Sequence, residues 1–235
     1  MEGKYEMKLL ITGADRPLSA AAAQHLAGRH ELRLTGYSGA PSDAECAKLY
    51  RQADLCDAET VPDLVDGVDA VLHFAEFDPQ PLTGPNAGHQ LLTRATLGAY
   101  LLCNAAREAG ARRIVVAGTL KVFDGYPDSY LIDEQWEPRP APEPEVLAPY
   151  LCEQVVREFP REGGITGICL RFLPLGIDSE ANTRLDDALQ AIDRALETEL
   201  GSPGYRWHVF HVASSPRFLS RQAQLTLGFE PEGAE

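Results

Sequence analysis

The chain has 235 residues, 44% of them hydrophobic and 24% charged, which suits one good core in a single domain. A formal net charge of −14 argues against DNA or RNA as partner, because phosphate binding needs a basic face. No run of about 18 apolar residues is present, so no membrane span is expected, and MEGKYEMK enters the first apolar run without a signal-peptide core. The cysteines Cys46, Cys56, Cys103, Cys152 and Cys169 form no CxxC pair. Reduced, buried thiols in a cytoplasmic protein are expected.

Strand-length apolar runs alternate with helical stretches along the chain. KLLITG (8–13) predicts a strand, residues 19–28 a helix, and ELRLTGY (31–37) a second strand. A short helix over 59–68 and the strand AVLHFA (70–75) follow. Residues 88–110 carry apolar side chains at helical spacing, with Gly110 placed to end the helix. RRIVVAGT (112–119) predicts a strand buried on both faces. Residues 133–150 are proline-rich and read as a surface connection near the site. Helix 144–164, strand 166–173, helix 183–200 and strand 205–214 complete the chain. This alternation predicts an α/β fold: a Rossmann-type, doubly wound parallel sheet with a reduced C-terminal substrate lobe over 174–235. Ligands of such sheets bind beyond the carboxyl ends of the strands.

The first of those ends reads Gly13-Ala14-Asp15-Arg16-Pro17-Leu18-Ser19. Strand, tight turn and helix are the local plan of a dinucleotide site, and the helix N-terminus offers N–H groups to an anion. Asp15 would repel phosphate if it pointed inward. The six histidines show no metal-ligand spacing, so no metal is expected and they read as core or surface residues. His208 and His211, three apart on a strand, point to opposite faces. Asp186 reads as a helix N-cap.

The ordered set ITGA, ADLCD (53–57), GVDAVLHFA (67–75), LLCNAAREAGARRIVVAGT, VFDGY, IDEQWEPRP, PY, LRF and LGFEP resembles the NAD-dependent epimerase/dehydratase family, the extended short-chain dehydrogenases/reductases. Its ending is similar to that of uronate-dehydrogenase-like members. The resemblance implies NAD(P) on the first half of the chain, a sugar or nucleotide sugar as substrate, and a homodimer through helices 88–110 and 146–159.

It implies Thr119 and Tyr150 as the catalytic hydroxyls and Asp54 and Leu55 at the adenine. Gly13, Asp15, Arg16, Ser19, Gly36, Tyr37, Phe74 and Ala75 would also line the cofactor path, where the Arg16 side chain either blocks the pyrophosphate or supplies a guanidinium to it. Glu76 is either a carboxylate beside that path or a solvated loop acid. Lys121 and Arg171 fall on the substrate side, Arg171 with a strand-end salt bridge as its other reading. Four positions depart from the family pattern. Arg16 stands for the middle glycine of G-x-x-G-x-x-G, Gly36 for the acid ending the second strand, Ala95 for an Asn, and Gln154 for the Lys four residues after Tyr150. That Lys matters because an ordinary phenol is ionised only about one part in a thousand at pH 7, and a cation beside it favours the phenolate. The four changes converge on one site. They imply weakened NAD(P) binding and nicotinamide redox that is impaired or absent, in a binding, regulatory or non-redox protein. The alternative is an active NAD(P)-dependent oxidoreductase or epimerase with Tyr150 as acid/base and Thr119 bonding the substrate.

Overall fold

The structure, a computed structural model, describes residues 6–77, 84–177, 181–200 and 204–231. The first residues of MEGKYEMK, and 178–180, 201–203 and 232–235 of the C-terminal region, lie outside the described residues.

Seven strands form one sheet: β1 (Lys8–Thr12), β2 (Glu31–Gly36), β3 (Tyr50–Gln52), β4 (Ala70–His73), β5 (Arg113–Thr119), β6 (Thr166–Phe172) and β7 (Trp207–Val212). Their order is β3-β2-β1-β4-β5-β6-β7, and every pairing is parallel. Among the described residues seven α-helices accompany them: α1 (Pro17–Leu26), α2 (Ala44–Lys48), α3 (Val61–Val65), α4 (Ala87–Thr93), α5 (Ala99–Glu108), α6 (Pro144–Glu158) and α7 (Leu185–Glu197). A wide π turn over Arg94–Gly98 joins α4 to α5 in one continuous run. The doubly wound parallel sheet expected from the alternation is therefore what forms.

Strand side chains alternate between two cores, as a period of two demands. Leu9, Ile11, Leu72, Val115, Ile168 and Leu170 pack under α1 and α7. Leu10, Val71, Ile114, Val116 and Cys169 pack under α3, α5 and α6. A third cluster of Leu120, Val122, Phe123, Ile132, Leu173, Ala213 and Phe218 caps the carboxyl ends of β5 to β7, and Tyr150 packs on it.

Four elements differ from the expectation. The two-turn-or-less α2 and the three-residue β3 were not legible as elements, because YRQ is a half-exposed edge strand without an apolar run. Helix α6 ends at Glu158 and continues as a short 3₁₀ turn over Phe159–Glu162. Helix α7 begins at Leu185 with Arg184 at the cap, so Asp186 is not the N-cap. Asp186 and Asp187 lie inside its first turn, where negative charge meets the positive end of the helix, and buried Asp187 accepts a bond from Ser214 Oγ at 2.7 Å.

Candidate functional site

The turn after β1 is built around Gly13, whose φ of +69° favours glycine. A Cβ there would lie 2.6 Å from Ala75 Cα, so the loop after β4 also needs that glycine. Arg16 holds the cap position of α1 with extended φ/ψ of −111° and 154°. Its backbone thus makes no demand for glycine, and the change from the family pattern acts through the side chain. Ser19 is buried and donates to Thr12 O at 3.0 Å, pinning α1 to the end of β1.

Asp15 does not face a phosphate. Its carboxylate folds over Gly36, where a Cβ would fall 2.9 Å from Asp15 Cγ and closer still to Oδ1. Ser38 Oγ donates to Asp15 Oδ2 at 2.5 Å, and Tyr50, from β3, donates to Ser38 O. Burial, with the Asp15 charge second, pushes the Tyr50 phenol up to about 12. Gly36 is thus the space that lets a carboxylate of the β1 loop sit at the end of β2.

Next to it, Tyr37 runs inward. Its hydroxyl donates to Glu76 Oε1 at 3.3 Å, and the Arg94 guanidinium lies 3.9 Å from the centre of its ring. β1 lies between β2 and β4 in the sheet, so the Tyr37–Glu76 bond spans the carboxyl end of β1. Glu76 is 2% exposed, which corrects the solvated-acid reading. Burial pushes its carboxyl up to about 7, against the Tyr37 bond and the Arg94 and Arg16 cations. Burial and the Glu76 charge hold the Tyr37 phenol well above its usual range. Arg94 was missed in the sequence. It sits on the π turn, a local geometry that its residue types do not announce.

Of the remaining cofactor-path residues, Leu55, Phe74 and Ala75 are buried. Asp54 is exposed and accepts Cys56 N at 2.9 Å in a local turn. Ala95 is fully buried in the core under α3, α5 and α6. His73, ending β4, has its Nδ1 2.8 Å from Thr12 Oγ1, and burial lowers its imidazole to about 4.

The other half of the carboxyl edge carries the hydroxyls. Thr119 ends β5, nearly buried, and its Oγ1 accepts Lys121 N at 3.2 Å. Tyr150 and Gln154 lie on α6 and open into a cleft of about 450 Å³ that also meets Trp136, Arg157, Arg171 and Trp207. Thr119 and Lys121 are not part of that lining. The expected trio is therefore only partly assembled: Tyr150 and Gln154 share a cavity that Thr119, at the end of β5, does not line.

Arg171, next to last in β6, points toward α6 and forms the strand-end salt bridge that was its other reading. Its Nε and Nη2 donate to Glu153 at 2.9 and 2.6 Å, and the two side chains are 5% and 3% exposed. Sequence reasoning missed Glu153. The signal was available, since an arginine in the fully buried TGICLRF strand needs a buried counter-charge. His211 is wedged edge-on between the rings of Phe123 and Phe218, and burial lowers it to about 3. Among the described residues no group of three or more His, Cys, Asp or Glu gathers to hold a metal, and no helix is long and apolar enough to cross a membrane.

A glycine turn into the N-terminus of α1, at a strand crossover of a doubly wound sheet, defines the class: a dinucleotide-binding α/β fold. The sequence profile of the NAD dependent epimerase/dehydratase family matches residues 9–198, and the chain belongs to that family. It is 28% identical to the uronate dehydrogenase of Pseudomonas putida, over 96% of this chain and 84% of that one. Among solved structures, the glucuronic acid dehydrogenase of Chromohalobacter salexigens is 24% identical with a TM-score of 0.79, over 98% of this chain and 86% of that one. MoeE5 in complex with UDP-glucuronic acid and NAD is 17% identical with a TM-score of 0.74, over 96% and 94%. These two structural likenesses speak for the fold.

Proposed function

We propose that this chain is an NAD(P)-dependent oxidoreductase of a sugar or sugar acid, slowed by the neutral Gln154. One observation carries the reading: Thr119 and Tyr150 stand at the end of β5 and on α6 in a chain aligned over 96% of its length with a uronate dehydrogenase. A uronate is accordingly the first substrate to try.

The residues present fit the adenosine diphosphate end of the cofactor. Gly13 supplies the turn, the N-terminus of α1 its N–H groups, and Leu55 an apolar wall. Bound nicotinamide would supply a hydride acceptor. The chain's own part is proton handling. Tyr150, as phenolate, takes the proton of the substrate hydroxyl and becomes the neutral phenol, while Thr119, whose Oγ1 accepts from Lys121 N, keeps its proton and uses it to hydrogen-bond the substrate oxygen. Trp136 and Trp207 give the cleft apolar walls against which a sugar ring can lie. Gln154 can bond a ribose hydroxyl but brings no charge to favour the phenolate. Residues 174–235 are taken as the small substrate-side region. Pairing of two chains through helices 88–110 and 146–159 fits the exposed Leu97, on the π turn, and Tyr100, on α5.

A second reading, a family member that binds a sugar without redox turnover, is favoured by the Tyr37–Glu76 bond across the end of β1. The comparisons support the oxidoreductase more than this silent protein. Calorimetric titration with NAD+, NADH, NADP+ and NADPH, followed by nicotinamide absorbance with glucuronate, separates the two. Micromolar binding and slow reduction are expected. No binding up to millimolar concentration would overturn the oxidoreductase.

A further inference from the structure

Two neighbouring polar atoms of the β1 loop are shielded from solvent and have no hydrogen-bond partner: Asp15 Oδ1 and Arg16 Nε. The Asp15 side chain is 4% exposed, and its other oxygen is already held by Ser38. Arg16 Nε lies 4.0 Å from Asp15 Oδ2, too far for a hydrogen bond. Leaving such atoms unsatisfied costs free energy, so a native structure that keeps them calls for a reason. Their chemistries are opposite. Asp15 Oδ1 lacks a donor, and Arg16 Nε lacks an acceptor. They are adjacent in sequence and lie at the N-terminus of the ten-residue α1.

One ligand supplies both missing groups: a ribose diol to donate and a diphosphate to accept. Doubly wound sheets ordinarily hold that diol with an acid on the last residue of β2. Here that residue is Gly36, and the Asp15 carboxylate fills the space its side chain would occupy. We infer that Asp15 has taken over the ribose-binding carboxylate from β2, so that the loop selects a nucleoside diphosphate whose ribose hydroxyls are free, with Arg16 as its diphosphate donor. Resting on the dinucleotide reading above, this sets its cofactor preference. A carboxylate at this place repels the extra ribose phosphate of NADP, because like charges brought together are unfavourable.

The exchange is tested by titrating NAD+, NADP+ and ADP into the wild-type chain, D15N and the double variant D15S/G36D, with circular dichroism to verify folding. The wild type is expected to bind NAD+ at least about tenfold more tightly than NADP+. D15N, isosteric and uncharged, is expected to bring that ratio near one. D15S/G36D returns the acid to β2 and is expected to restore it. G36D alone, which drives two carboxylates into one space, is expected to lose NAD+ binding. An unchanged ratio in D15N would overturn the inference and leave the oxidoreductase reading standing. Asp15-dependent binding of ADP and NAD+ without any hydride transfer would do the reverse. No binding of any of the three would overturn both.

Discussion

The two halves of the sheet's carboxyl edge are built on different plans. Over β1, β2 and β4, the polar side chains turn toward one another: Asp15 to Ser38, Tyr37 to Glu76, Arg94 onto Tyr37. Over β5 to β7, an open cleft of about 450 Å³ reaches Tyr150 and Gln154. The first half is lined with side chains of opposite charge held close together, and the second stays open. Where Gly36 carries no side chain no void is left, because the Asp15 carboxylate of the neighbouring loop packs into that space.

The largest effect tests the open half. Arg171→Ala leaves the Glu153 carboxylate buried without its cation, held by hydrogen bonds from Cys169 and Gln154. A loss of about 3–5 kcal/mol is expected, measured by denaturant unfolding. The paired apolar variant R171M/E153L is expected to recover most of it. An R171A loss below about 1 kcal/mol would mean the pair does not hold α6 to the sheet.

Gln154→Lys sharpens the open half. Returning a cation beside Tyr150 is expected to raise the rate of uronate-dependent NAD+ reduction at pH 7 by about 100-fold. An unchanged rate would place the limit in the filled half instead.

Glu76→Gln tests the filled half through pH. The Glu76 carboxyl goes from its ordinary 4.5 to about 7 on folding. The folded chain therefore holds more protons between those values, and stability falls as pH rises through that window. His73 and His211, lowered to about 4 and about 3, act oppositely: their stability is lost as pH falls below 6.5. E76Q keeps both histidines, so the difference between variant and wild type isolates Glu76. That difference is expected to grow in favour of E76Q by up to about 3 kcal/mol between pH 5 and pH 8, read from melting curves. A pH-independent difference would mean Glu76 is ionised throughout.

Much of the candidate site was legible residue by residue. The positive-φ turn at Gly13, the buried Ser19 at the start of α1 and the buried Leu55, Phe74 and Ala75 gather at the carboxyl ends of β1 to β4, and Tyr150 and Gln154 share one cleft. Glu76 was visible as a carboxylate near the path, but its burial was not, since burial depends on Tyr37, Arg94 and Arg16 arriving from three other segments. Asp15 read as a charge that would meet phosphate. Only the packing showed it lying over Gly36, because two residues so far apart in sequence meet when β1 and β2 pair in register.

The sequence by itself determined the layered fold and the family. Apolar period two in the strands and helical period between them leave few ways to bury both faces of a parallel sheet, and the ordered motifs narrowed those to one. The tertiary structure alone decided what the altered residues do. A side chain's ionisation and direction depend on which charges and cavities the fold brings within a few ångströms, and those neighbours come from distant segments: Glu153 for Arg171, Tyr37 for Glu76, Gly36 for Asp15.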